Sequence, residues 1–319
     1  MSAERLERIF NTLSSTYWCW KYIIPEECPQ TLFDVLIQGC EHIDPSSWTE
    51  RANFGGIFIN GKPVFENAEL STPCRIEYYE PKYDIEKSQQ QFPTFSKENI
   101  LYNDDDILIV FKPAGLPSYQ PRDQRRHFLR KEIEQMFDRE IHMPSRLDTS
   151  VSGIVAVSLT ERMHNPLQQL FEKRKIDKNY LLQVNNKPSW DSIRAENQIG
   201  KDHLHPILRR VVTDGGKHSI TEFQSRANQS YTTSHGVTLE TTLLQAKPIT
   251  GRTHQIRVHA AHLGYPIIGD NFYEGVAHED LHLISYRLRF SHPFTDKLID
   301  ILVPERFKPD WANIPELQY

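Results

Sequence analysis

Three groups of residues in this chain could do chemistry. Asp148 lies in Ser145-Arg146-Leu147-Asp148-Thr149-Ser150-Val151-Ser152-Gly153, which runs into Ile154-Val155-Ala156-Val157. The apolar run has β-branched residues on both faces and reads as a strand buried on two sides, with a tight polar loop before it. A carboxylate at the mouth of such a strand is held in one geometry yet stays open to a ligand, although an Asp in a Ser/Thr-rich loop also serves simply as a turn former. The second group is Arg252, His254, Arg257 and His259, crowded into eight residues of a segment that reads as a strand end turning into a helix from near Thr253 to Gly264. His254, His259 and His262 lack the i, i+4 pair with an intervening Glu of a zincin helix, so no metal site is expected. The third is the strongest local basic cluster, Arg122, Arg125, Arg126, Arg130 and Lys131. It suits RNA phosphates, and it equally suits a solvated helix face partnered by Glu132 and Glu134.

The elements that must position these groups are legible in outline. Ile107-Leu108-Ile109-Val110-Phe111 is a buried strand broken at Lys112-Pro113-Ala114-Gly115, and Glu161 to Lys175 reads as a helix with Leu167, Leu170 and Phe171 on one face. In the strand from Lys178 to Val184, Tyr180 shares its side with Leu182 and Val184, as a core tyrosine would. Upstream, a helix from Thr31, a hairpin turning at Asn60-Gly61 and a strand Cys74 to Tyr79 form a small unit, and the polar stretch 81–98 reads as a linker. With 319 residues and 38% hydrophobic content the chain is long and apolar enough to be globular. Its formal net charge of −5 excludes a wholly basic nucleic-acid binder, so any charge that holds RNA must be local. The sequence has no apolar run long enough to span a bilayer and no secretory pattern at Met1 to Ser15, which predicts a soluble cytoplasmic protein. Cys19, Cys28, Cys40 and Cys74 form no C-x-x-C pair and are expected to be free thiols.

The Asp148 loop resembles the signature of the RluA-type pseudouridine synthases, His-Arg-Leu-Asp, two variable residues, then Thr-Ser-Gly and an aliphatic strand. Arg146-Leu147-Asp148 and Ser152-Gly153 match, while Ser145 stands in place of His and Val151 in place of Thr. The resemblance extends in ordered segments over 99–307: the strand and turn ending at Gly115, Lys178-x-Tyr180, Thr221-x-Phe223, the run from Lys247 through Arg252 to Tyr273, and the closing strands to Pro293. It implies an α+β fold, a mixed and largely antiparallel sheet with flanking helices and a central cleft, as a catalytic domain over 99–319. Residues 1–80 would be an N-terminal extension with a small module similar to the S4 type. Glu41, Asp44 and Glu50 stand near its helix instead of the usual basic residues, which suits a packing role as well as RNA binding.

The resemblance further implies an enzyme that isomerises uridines of rRNA or tRNA to pseudouridine, acting as a monomer. Nothing is oxidised and no outside atom is transferred, so no cofactor is expected. Asp148 would be the essential carboxylate, as nucleophile on C1′ or as base at C2′. Arg252 would be the cation that meets it, and Tyr180 would stack on the uracil and assist in removing its C5 proton after the rebound. Arg146 would enter the space left by the flipped base, and Arg125, Arg126, Arg130, His254 and Arg257 would hold RNA. The competing expectations are a non-catalytic RNA-binding or assembly protein on the same fold, motivated by Ser145, Val151 and the acidic balance, and a hydrolase pairing Asp148 with a histidine of residues 254–262.

Overall fold

The computed structural model describes residues 15–23, 31–81, 92–121, 126–202, 207–233 and 236–312. The chain divides into two compact units, the smaller ending at Phe92 and taking in Gln120–His127, the larger built from Pro93–Tyr119 and Phe128 onward.

In the smaller unit, β1 (Ser15–Ile23) is followed by helices α1 (Leu32–Gly39) and α2 (Trp48–Phe54) and strands β2 (Ile57–Ile59), β3 (Lys62–Pro63) and β4 (Cys74–Pro81). Helix α1 starts where the sequence supplies a capping box: Asp34 N–H donates to Thr31 Oγ1 at 3.3 Å, and Thr31 N–H donates to Asp34 Oδ2 at 2.9 Å. The hairpin turns on Asn60 (φ 51°) and Gly61 (φ 79°), both left-handed, as a two-residue primed turn requires. The sheet runs β1-β4-β2-β3, and Leu32, Leu36, Trp48, Ile57, Ile76 and Tyr78 close a core over it. Cys40 and Cys74 are buried and take part in no disulfide. Of the expected linker, residues 82–91 lie outside the described ones.

The larger unit carries β5 (Ile100–Asn103), β6 (Ile107–Lys112), α3 (Leu129–Phe137), β7 (Ser152–Ser158), α4 (Glu161–Glu172), β8 (Asp177–Asn185) and β9 (Ser192–Lys201). It continues with β10 (Arg209–Val212), β11 (Lys217–Thr232), β12 (Thr238–Pro248), α5 (Gln255–His262), β13 (Leu283–Ser291) and β14 (Leu298–Leu302). The sheet order is β10-β9-β11-β12-β8-β13-β7-β6-β5, with β14 paired to β13. Every pairing is antiparallel except β7 with β13, so the sheet is mixed and largely antiparallel.

The alternation along each central strand feeds two cores. Val155 and Val157 join Leu182, Val184, Leu244 and Ala246 on one face, where Leu129 and Ile133 of α3 and Ile256 and Ala260 of α5 pack. Ile154 and Ala156 join Leu181, Leu243 and Ile284 on the other, beneath Met163 and Leu167 of α4. With helices on both faces, β7 is buried from Gly153 to Ser158, as its doubly apolar sequence requires.

The one parallel contact explains Gly153. At φ 122° it lies against β13, and a Cβ there would sit 2.3 Å from the Ser285 carbonyl oxygen. A residue with a side chain would force β13 off the strand that carries the Asp148 loop. Two helices are shorter than their periodicity predicts. Helix α4 stops at Glu172 because Arg174 turns left-handed (φ 56°), and α5 starts at Gln255 because His254 does the same (φ 57°). Among the described residues no helix is long and apolar enough to cross a membrane.

Candidate active site

The loop bearing Asp148 is fastened at both shoulders. Leu147 and Val151 are buried in the core on either side of it. Ser118 Oγ donates to the Leu147 carbonyl at 2.7 Å and accepts from Leu147 N–H at 3.1 Å. Val151 N–H closes a turn onto the Asp148 carbonyl at 3.1 Å. The Thr149 carbonyl accepts from Gly115 N–H at 2.8 Å and from the ammonium of Lys112 at 3.2 Å. Lys112 is fully buried, and its ammonium also donates to the carbonyls of Pro113 and Leu116 at 2.9 and 2.7 Å. A buried cation is tolerated only when its donors are used, and here they tie the turn after β6 to the Asp148 loop.

The opposite wall is the start of α5. Gln255 is buried and fixes it: its Nε2 donates to the Ile220 carbonyl and to Thr221 Oγ1, both at 2.9 Å, while its Oε1 accepts from Thr250 Oγ1 at 2.7 Å and Arg252 N–H at 3.0 Å. Two residues on, Arg257 faces the loop. Its Nη1 is 3.4 Å from Asp148 Oδ2, and its Nε and Nη2 hold both oxygens of Asp270 at 2.8 and 2.7 Å. The Arg257 side chain is 4% exposed, that of Asp270 is fully buried and that of Asp148 is 20% exposed. Asp270 also accepts from the N–H groups of Phe272 and Tyr273 at 3.0 and 3.3 Å, so the guanidinium is backed by a carboxylate that is itself fully engaged.

His254 completes this wall with Nε2 3.8 Å from Asp148 Oδ2 and Nδ1 2.7 Å from the Tyr273 hydroxyl. The Tyr273 oxygen also accepts from Arg209 N–H at 3.0 Å; where the Tyr273 proton goes to His254 Nδ1, the imidazole proton sits on Nε2, facing Asp148. Burial pushes the His254 pKa down to about 4, with the Arg257 charge helping and the carboxylates of Asp148 and Asp270 opposing. The ring is therefore neutral at physiological pH. Burial by itself raises Asp148, but the charges of His254 when protonated, then Arg257 and Arg146, outweigh burial and hold its carboxyl below the ordinary carboxylate range. With His254 neutral, the standing positive charge comes from Arg257 and, farther out, Arg146. Tyr180 lies half-buried in the same cleft, and burial together with the Asp148 charge pushes its phenol up to about 12. Cleft volume is about 580 Å³, enough for a nucleotide turned out of its stack.

Placement of the sequence-predicted residues is uneven. Asp148, Tyr180, Arg146, His254 and Arg257 all line the cleft. Arg146 Nη2 donates to Thr253 Oγ1 at 3.0 Å, bridging the two walls. The cation meeting Asp148 is Arg257 and not Arg252, which corrects the expectation from the motif. Arg252 is exposed on the rim, where its Nε donates to the His218 carbonyl at 3.2 Å. Arg252 borders the cleft from before the left-handed turn at His254, whereas Arg257 comes from the helix after it and reaches Asp148. Arg130 pairs with Glu134 of its own helix at 2.8 Å and does not line the cleft. Arg126 sits over the Phe92 ring at 4.3 Å, and Arg125 lies outside the described residues. Asp270, Tyr273 and Lys112 were given no role from sequence. Their only signal is membership in the matching segments, because the pairs Asp270–Arg257, Tyr273–His254 and Lys112–Thr149 meet only through the fold. Among the described residues no group of three His, Cys, Asp or Glu side chains is placed to hold a metal.

Comparison with known proteins agrees with this geometry. The family described as RNA pseudouridylate synthase matches residues 106–262, which span β6 through α5. The dual-specificity RNA pseudouridine synthase RluA of Vibrio vulnificus is 34% identical over 223 residues, covering 68% of this chain and 87% of that protein. The RNA pseudouridine synthase YhcT of Bacillus subtilis is 31% identical over 301 residues, covering 89% of this chain and 92% of its own length. In fold, the chain is similar to human RNA pseudouridylate synthase domain containing 1, with a TM-score of 0.55 at 24% identity over 70% of this chain and 89% of that one. An aspartate held ionised on a fastened loop, in a cleft sized for one nucleotide, thus sits in a chain that belongs to the RluA-type RNA pseudouridine synthases, isomerases that make pseudouridine in RNA.

Proposed function

We propose that Asp148 is the essential carboxylate of this isomerase and that its substrates are uridines in rRNA or tRNA. The observation that carries the reading is the Asp148–Arg257–Asp270 chain on the cleft floor. Breaking a glycosidic bond to uracil calls for an anion beside C1′ and C2′ of the ribose, whether as nucleophile or as base. Arg257 keeps Asp148 charged in a mostly dry site, and Asp270 keeps Arg257 from folding fully onto Asp148 and quenching it. The longer contact, 3.4 Å against 2.7 and 2.8 Å, leaves the Asp148 carboxylate the weaker-bound partner.

Tyr180 is a neutral phenol at physiological pH, which favours stacking on the freed uracil over taking its C5 proton. The target base must leave its helix, at a cost of a few kcal/mol, and Arg146, exposed at the cleft and bonded to Thr253, is the side chain we assign to the gap it leaves. The S4-like reading of the smaller unit stays a proposal of the same kind, with packing as its role.

The test is a pseudouridine map of total RNA from cells with the gene, without it, and with Asp148→Ala restored in its place. Sites that vanish on deletion and return only with the native chain establish both substrate and carboxylate. A map unchanged by deletion, with tight RNA binding retained by Asp148→Ala, would turn the reading toward a non-catalytic binding protein.

A further inference from the structure

Beside the cleft, a side pocket of about 220 Å³ opens at the end of α4 and shares Phe171, Arg174 and Lys178 with the cleft wall. Its other walls come from Lys175, Asp177 and Lys247. The volume suits one nucleobase with part of its sugar. Phe171 offers a half-buried ring, with the Lys178 ammonium 6.0 Å from its centroid. Arg174 and Lys175 are exposed at the lip. The cations outnumber the acids nearby: Asp177 is matched by Lys247 at 2.6 Å, and Glu172, on the cleft side, keeps its charge while accepting from Gln168 Nε2 at 2.8 Å, against Arg174, Lys175 and Lys178.

The lip is shaped by a helix ending that normally falls to glycine. Lys175 N–H donates to the Leu170 carbonyl at 2.8 Å and Arg174 N–H to the Phe171 carbonyl at 3.2 Å, with Arg174 at φ 56° between them. These bonds occupy the Leu170 and Phe171 carbonyls at the helix end. The chain keeps an arginine in a backbone conformation that disfavours it, at the point where the pocket meets the cleft.

We propose that this side pocket binds a nucleotide flanking the target uridine on the same RNA strand, its base stacked on Phe171 and its phosphates met by Arg174 and Lys175. The inference rests on the reading of the main cleft as the RNA site, because the two spaces share a wall. The pocket then gives the enzyme a hold on single-stranded RNA independent of the flipped base. Stacking tolerates any base, and the cations track the backbone, so the hold is on strand path more than on sequence.

The test measures binding of a fluorescein-labelled oligouridylate of about 20 nucleotides by anisotropy, for the full chain and for Arg174→Gly/Lys175→Ser and Phe171→Leu. Each phosphate contact on a single strand contributes about 0.7 to the slope of log affinity against log salt, so the double variant should flatten that slope by about 1.4 and bind roughly tenfold more weakly at about 50 mM salt. Its melting temperature should not fall, because glycine fits the left-handed position. Phe171→Leu should weaken binding without changing the slope. A double variant with the native slope, or a Phe171→Leu variant with native affinity, overturns the side-pocket proposal and leaves the cleft reading standing. Displacement of the oligouridylate by polyglutamate as readily as by unlabelled RNA also overturns it, in favour of a non-selective cationic patch. A native chain that fails to bind the probe at low salt overturns both.

Discussion

The floor and the rim of the cleft hold the same chemical group under opposite conditions. At the floor the Arg257 guanidinium is 4% exposed, clamped by Asp270 and faced by Asp148. At the rim, five residues earlier in the chain, Arg252 is exposed and makes one side-chain bond, to a backbone carbonyl. A charge taken out of water must be matched by charge and hydrogen bonds, so the floor arginine is fixed in place. A charge left in water needs no partner, so the rim arginine is free to meet a ligand.

Removing each guanidinium should break this contrast most directly. Arg257→Gln leaves Asp270 buried without its counter-charge, and losing one member of a buried pair costs about 3–5 kcal/mol. The expected outcome is a large drop in the urea midpoint, and loss of pseudouridine formation even where the fold survives, because Asp148 loses the charge that keeps it ionised. A variant with native stability would show that Asp270 does not depend on Arg257.

Acid sharpens the contrast from another side. The folded chain holds His254 neutral down to about pH 4, whereas the unfolded chain protonates it near its ordinary 6.5. Stability from this group is therefore complete above pH 6.5 and lost as pH falls toward 4, by at most about 3 kcal/mol at about 1.36 kcal/mol per pH unit. His259, also pushed down to about 4 by burial, adds to the same limb. Asp148 does not, because its folded pKa lies below the ordinary 3.8, so its contribution is present above that value and lost only as pH falls further. Urea midpoints at neutral and mildly acidic pH should therefore converge in His254→Gln relative to the native chain. Equal acid losses in the two would exclude His254 as the source.

What the sequence made legible follows the same division. The two-sided apolar run before Ser158, the Tyr180-Leu182-Val184 alternation and the Asn60-Gly61 turn each encode their structure within a few residues, and each is found where the pattern put it. Asp148 stood out for the same reason, as a polar residue at the mouth of a buried strand. The choice between Arg252 and Arg257 was not local. It depends on the left-handed φ of His254 and on Asp270, which reaches the site from beyond α5. Lys112 was likewise unreadable, because an ammonium before a turn gives no sign that three carbonyls will close around it.

The smallest effect tests the rim. Arg252→Gln should change the unfolding free energy by no more than about 0.5 kcal/mol, the range of exposed sites, because its one side-chain bond is to a carbonyl that water can serve. If the rim arginine meets RNA, the same variant should lose about 0.7 from the salt slope of RNA binding, the share of one phosphate contact. It should also leave the acid limb of activity unmoved, since Asp148 takes its charge partner from the floor. A shifted acid limb would mean that Arg252 swings inward once RNA is bound, and the division between fixed floor and free rim would then hold only for the empty cleft.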